Sequence, residues 1–181
     1  MLIRKEKNLG DIYKPSVPKR IIQNGPQEEP GFFPCGRCDT CAHSRAVKEL
    51  VSPRDGRRWL IKQHLTCKTP FVIYLLFCKI HNEYYTGSTK NLKFRWAQHK
   101  SDIKLKRENK CRLTQHVLRL QHPEDVDVPF LEIYAVEAVE REEDLLQREL
   151  FWQANFGTVF KGSGLNFRKD LNTVLKRRIE F

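Results

Sequence analysis

Residues 71–78, FVIYLLFC, are continuously apolar and rich in β-branched and aromatic side chains, which predicts a buried strand. After the polar tetrapeptide KIHN, the stretch EYYTGST resumes a strand texture, so the two predict a hairpin with residues 79–82 as its loop. That loop length sets a register. Leu76 falls opposite Tyr85 and Tyr74 opposite Gly87, which places Tyr74 and Tyr85 on one face as diagonal neighbours. Beyond Gly87 the period becomes helical: Leu92, Trp96, His99 and Ile103 recur at i, i+4, i+7 and i+11, an amphipathic stripe opened by Asn91, with Arg95 one turn before His99. LTQHVLRLQH predicts a second short helix, a proline-marked loop follows it, and FLEIYAVEAV predicts a further strand. EREEDLLQRELFWQANF then predicts a helix whose acidic first turn suits its dipole. On that helix Leu145, Glu149, Trp152 and Phe156 share a face, so Glu149 is a carboxylate set among apolar neighbours.

The remaining chain divides by texture. Residues 1–34 hold Pro15, Pro18, Pro26 and Pro30 with no persistent apolar pattern and read as a flexible basic arm; residues 35–69 are Cys-rich; residues 70–168 carry the elements above; residues 169–181 form a basic tail. With 181 residues there is room for one ordinary domain and a small appendage, which excludes a large multidomain enzyme. Lys plus Arg number 33 against 22 Asp plus Glu, a net charge of +11, and nucleic acid becomes the expected ligand class. The excess concentrates between residues 90 and 119, where Lys90, Lys93, Arg95, Lys100 and Lys104 are candidate DNA-binding residues, while Phe94 and Trp96 read as core rather than as base-stacking groups. No apolar run is long enough to cross a bilayer and the N-terminus lacks a secretory h-region, so the expectation is a soluble protein in a reducing compartment, nuclear or otherwise intracellular, with no membrane partner.

The hairpin, the stripe and Glu149 together resemble the GIY-YIG nuclease domain. Val72-Ile73-Tyr74 stands where the family has GIY, and Tyr85-Thr86-Gly87 where it has YIG. The eleven-residue step from Tyr74 to Tyr85 and the ten-residue step to Arg95 are the family's, Arg95-x-x-x-His99 matches a recurrent form of its second motif, and Glu149 and Asn166 match its metal-binding glutamate and following asparagine. The first glycine is replaced by Val72. The resemblance implies an α+β fold, a small central antiparallel three-stranded sheet flanked by helices, and a metal-dependent DNA endonuclease that hydrolyses phosphodiester bonds and leaves 5'-phosphate and 3'-hydroxyl ends. It also implies roles: Tyr74 as general base or water-positioning group with Tyr85 beside it, and Glu149 holding one catalytic Mg²⁺ or Mn²⁺. A single carboxylate suits Mg²⁺, which keeps several of its waters. A free phenol has a pKa of about 10, so a tyrosine base needs help from a cation or the metal. Arg95 carries a permanent charge suited to phosphate. His99 is placed to accept the tyrosine proton or to bind the scissile phosphate. Singly, each residue has a bland alternative: the tyrosines as strand aromatics, His99 as a core histidine, Glu149 as a partner of Arg148 or Lys161, Asn166 as a turn terminator.

Cys35, Cys38 and Cys41 with Cys67 offer the four thiolates that structural zinc prefers, with His43 and His64 as competitors for the fourth position. Cys78 and His81 flank the hairpin turn, and His116 with His122 or His99 would complete a second zinc set; His99 is assigned to catalysis. A ligand pair at that turn, downstream histidines and an upstream segment like PCGRCDTC resemble the endonuclease domain of Penelope-like retroelements, with His81 standing where a second cysteine would be. That resemblance implies a target-nicking enzyme acting on duplex, nicked or branched DNA. Two alternatives stay open from the residues: a zinc-stabilised DNA-binding module whose nuclease site has decayed, and a structure-selective repair nuclease.

Overall fold

The computed structural model describes residues 28–52, 55–119, 128–159 and 164–166. In chain order the elements are β1 (Gly31–Phe33), α1 (Asp39–Ala42), β2 (Glu49–Val51), β3 (Arg58–Leu60), β4 (His64–Thr66), β5 (Pro70–Cys78), β6 (Glu83–Asn91), α2 (Leu92–Lys104), α3 (Arg112–Arg119), β7 (Leu131–Ala138), a short 3-10 turn (Glu142–Asp144) and α4 (Leu145–Asn155). The fold is α+β, built on an antiparallel three-stranded sheet ordered β6-β5-β7. The all-apolar β5 is the central strand, and residues Val72 to Leu76 are 0–1% exposed because both faces are covered. The hairpin register is the predicted one, with Tyr74 opposite Gly87 and Leu76 opposite Tyr85. α2 begins where predicted: the Asn91 side chain accepts from the Phe94 N–H at 3.1 Å and caps the helix, and Leu92, Trp96 and His99 are buried along its stripe.

Val72 lies within this buried strand, paired with Thr89 on one side and Ala138 on the other. The valine in place of the motif's first glycine therefore fills core, on the same face as Tyr74 and two residues before it.

Two edges of the sheet would expose unpaired backbone, and each is closed by a side-chain amide that imitates a strand. On β6, Asn166 Oδ1 accepts from the Thr86 N–H at 2.9 Å and its Nδ2 donates to the Thr86 carbonyl at 2.7 Å. On β7, Gln63 makes the same double bond to Ala138, with distances of 2.7 and 3.0 Å. Farther along β7 the Ile133 N–H donates to the His43 carbonyl, and Ser44 Oγ donates to the Ile133 carbonyl.

These contacts correct one expectation. Residues 31–33 were expected to belong to a flexible arm, but they form β1, which pairs in parallel with β4, and Phe32 is fully buried against Tyr134. A three-residue strand is too short to show a period, and its partner lies far along the chain. The rest of the expected arm, residues 1–27, and the basic tail at 169–181 lie outside the described residues. β1 and the Cys-rich segment share one hydrophobic core with the sheet through Phe32, Leu50, Ile61 and Leu65. No helix among the described residues is long and apolar enough to cross a membrane.

Candidate active site and metal-ligand clusters

Tyr74 projects from the central strand toward α2 and is 1% exposed. Its hydroxyl lies 2.8 Å from His99 Nε2. The rings of Tyr74, Tyr85 and His99 form a triangle, with centroids 6.3 Å apart for the two tyrosines, 5.9 Å for Tyr74 and His99, and 5.6 Å for Tyr85 and His99. The register supplies the tyrosines and the helical stripe supplies the histidine. Gly87 makes the room: a Cβ there would stand 2.5 Å from the Tyr74 hydroxyl oxygen. The second motif's glycine is thus required by contact across the hairpin.

Burial, reinforced by the Arg95 charge, pushes His99 from 6.5 down to about 3 and keeps the imidazole neutral. Burial also raises the Tyr74 phenol well above its usual value, with Tyr85 adding to the rise and Arg95 opposing it. With the Tyr74 O–H as donor to Nε2, the imidazole proton resides on Nδ1, which faces Cys111 Sγ at 4.0 Å. Cys111 in turn lies 3.2 Å from Thr114 Oγ1.

Glu149 reaches the same region from α4. Ser88 Oγ donates to Glu149 Oε2 at 2.5 Å, and Gln153 Nε2 donates to Oε1 at 2.8 Å. Arg148 turns away and donates to both oxygens of Glu137 at 3.0 and 2.9 Å, where Trp152 Nε1 adds a bond at 2.6 Å. The bland reading of Glu149 as an Arg148 partner is thereby set aside, and Lys161 lies outside the described residues. Arg95 Nη1 donates to Gln98 Oε1 at 2.9 Å and Nη2 to the Ser88 carbonyl at 3.4 Å. Ser88 is therefore the junction: its carbonyl receives the cation and its hydroxyl holds the carboxylate. Pattern reading missed it, although its place directly after Gly87 was a signal. Asn166 is 2% exposed with its amide committed to Thr86, so it touches the β6 backbone and not the reacting groups.

Of the expected DNA contacts, Lys104 is exposed at the end of α2, Lys93 is half-buried, and Lys90 is exposed and pairs with Glu142 at 2.7 Å. Lys100 is directed elsewhere, 2.8 Å from Asp39 on α1, where it ties α2 to the Cys-rich segment. Phe94 is not core: it is 72% exposed, because it lies off the Leu92-Trp96-His99 stripe. Trp96 is fully buried, its ring centroid 4.7 Å from that of His43 and tilted to it.

The four expected thiols converge. Cys41 Sγ lies 3.4 to 3.6 Å from the sulfurs of Cys38, Cys35 and Cys67, and Cys35 lies 3.5 Å from Cys38. A tetrahedral site with zinc–sulfur bonds of about 2.3 Å has edges of about 3.8 Å, so this donor set fits zinc. The Gly36 N–H, on a residue with φ of 80°, donates to Cys41 Sγ at 3.2 Å, as backbone amides do to metal-bound thiolates. The fourth member of the cluster is Cys67, while the His43 and His64 rings lie against Trp96 and Phe33. Cys78, His81 and His116 form a second cluster, with ligand atoms within 4.8 Å of one another. Glu83 Oε2 lies 3.2 Å from His116 Nδ1. His99 bonds Tyr74 and does not join this cluster, and His122 lies outside the described residues.

A family model described as the GIY-YIG catalytic domain matches residues 70–163. Among solved structures, the catalytic domain of the homing endonuclease I-TevI is similar at 21% identity over 54% of this chain and 97% of that one, with a TM-score of 0.44. A point mutant of the same domain, described as that of an intron endonuclease, is similar at 21% identity over 52% and 89%, with a TM-score of 0.42. No curated protein matches the sequence.

Proposed function

The chain belongs to the GIY-YIG catalytic domain family and is a DNA endonuclease of that type, and on that footing we propose that it nicks DNA in a Mg²⁺-dependent reaction that leaves 5'-phosphate and 3'-hydroxyl ends. The observation that carries this reading is the 2.8 Å hydrogen bond between the buried Tyr74 hydroxyl and a neutral His99, beside Arg95 and a carboxylate anchored by Ser88.

The residues divide the work by their chemistry. Tyr74 has a phenol too weakly acidic to ionise alone, but its proton has an acceptor in His99 Nε2. As Tyr74 Oη takes a proton from the attacking water, its own proton passes to His99, whose imidazolium, disfavoured by burial in the free protein, would be stabilised by the bound phosphate anion, and no free phenolate forms. Tyr85, half-buried, packs beside both members of this relay. Arg95, held by the Ser88 carbonyl and Gln98, presents a guanidinium to the scissile phosphate. Glu149, fixed through both oxygens, would hold one divalent cation, which when bound supplies positive charge to the phosphoryl oxygens. Zinc in the Cys35-Cys38-Cys41-Cys67 set would be structural, and the Cys78-His81-His116 cluster would hold a second ion.

The upstream cysteine set and the ligand pair at the hairpin turn support a retroelement-type role, in which the nick exposes a 3'-hydroxyl for a polymerase. Reduced thiols as ligands favour an intracellular, and for a DNA substrate nuclear, setting. Incubation with linear, nicked and branched DNA in Mg²⁺ and then in EDTA tests the activity, and resealing of the products by DNA ligase tests the ends. Nicks that ligase cannot close would remove the product assignment; absence of cutting with any divalent ion would remove the activity.

A further inference from the structure

At 72%, Phe94 is the most exposed of the large hydrophobic side chains among the described residues. One apolar side chain in water is ordinary in itself; its setting is not. It lines a surface groove with Ser88, Lys90, Arg95, Gln98 and Leu145, and Ser88 and Arg95 are the groups that join the two halves of the catalytic site. The ring is presented from a fixed point, since the Phe94 N–H is bonded to the Asn91 cap at 3.1 Å. Arg95 and Lys93 flank it in sequence, and the Lys90–Glu142 pair is exposed on both sides, so it exchanges readily for phosphate. An aromatic face with cations around it, at the mouth of a phosphodiester site, matches a single class of ligand: a nucleobase whose flanking phosphates meet the cations.

We propose that Phe94 is a stacking platform for the nucleobase adjoining the phosphate held at Arg95. The proposal rests on the endonuclease reading of that site and adds a substrate class. A base can reach the ring only when it is out of the duplex stack, so the enzyme favours DNA with an unpaired nucleotide beside the cut, at a gap, a flap or a junction. Every base has a π-face, so the contact selects structure and not sequence.

Binding of the full chain in EDTA, where no cleavage occurs, to gapped DNA carrying 2-aminopurine and to the same DNA fully paired tests the proposal. Phe94→Ala is expected to weaken binding to gapped DNA by about 5- to 150-fold while leaving duplex binding and its salt dependence unchanged. Phe94→Leu, apolar but without a π-face, stays weak; Phe94→Trp restores binding and quenches the 2-aminopurine. Unchanged binding by Phe94→Ala, full binding by Phe94→Leu, or an equal loss on both DNAs overturns the proposal. The side chain is largely exposed, so its removal does not threaten folding. The two readings separate cleanly: loss confined to gapped DNA in a protein that never cuts in Mg²⁺ keeps the platform and rejects the nuclease, whereas normal cutting with unchanged structural preference in Phe94→Ala rejects the platform alone.

Discussion

Ser88→Ala removes the hydroxyl that holds Glu149 Oε2 and leaves the Gln153 bond to Oε1 in place. Partners of a metal-binding carboxylate typically contribute 10- to 100-fold to metal affinity, so the Mg²⁺ concentration for half-maximal cleavage should rise by roughly that factor, with Ser88→Thr close to wild type. An unchanged Mg²⁺ titration would show that the bond has no such role. His99 makes a prediction about pH. Its folded pKa of about 3 lies below the unfolded 6.5, so between those values the unfolded chain binds a proton that the folded chain refuses. The stability that His99 confers is complete above about pH 6.5 and is lost as pH falls toward 3, by up to ~1.4 kcal/mol per pH unit. Urea unfolding between pH 7 and pH 4 should therefore be less pH-dependent in His99→Gln than in wild type; parallel curves would contradict the burial argument. Much at this scale was legible in the sequence, because Tyr74, Tyr85, Arg95 and His99 sit at fixed steps along regular elements. The contacts of Ser88, Cys111 and Asn166 were not, since each is made between elements distant along the chain.

At the scale of elements, the hairpin and α2 were readable because their signals are local: a polar loop, an unbroken apolar run, an Asn cap. The small strands β1 to β4 were not, because three residues carry no period and β1 finds its partner across more than thirty residues of chain. What joins them is the thiol cluster and the sheet edge. Cys67→Ser should therefore release one zinc per chain by elemental analysis and lower the melting temperature, and retention of full zinc content would shift the fourth ligand elsewhere. Asn166→Ala strips both bonds from the buried Thr86 peptide and should destabilise the protein by ~1–3 kcal/mol in denaturant unfolding. Asn166→Asp should be no better, since a carboxylate cannot donate to the Thr86 carbonyl. Full stability in Asn166→Asp would mean that this edge is closed in another way.

In the whole molecule the Cys-rich segment and the catalytic domain form one body: the segment closes the β7 edge through His43, Ser44 and Gln63, and it braces the back of α2 through the Lys100–Asp39 pair and the His43–Trp96 contact. α2 carries Arg95 and His99, so the segment that holds the thiol cluster supports both residues from behind. The net charge of +11 gives long-range attraction to DNA, while the reaction depends on a few residues at one point on that surface. The most direct measurement is cleavage of branched DNA in Mg²⁺ by Tyr74→Phe and Glu149→Ala proteins whose far-UV circular dichroism and melting temperatures match wild type. Cleavage should fall by at least about 100-fold in each while DNA binding in EDTA is retained, the loss expected when a proton-transfer group, Tyr74, or the carboxylate that would hold the cation, Glu149, is removed. Wild-type cutting by either protein would contradict the assignment of this site.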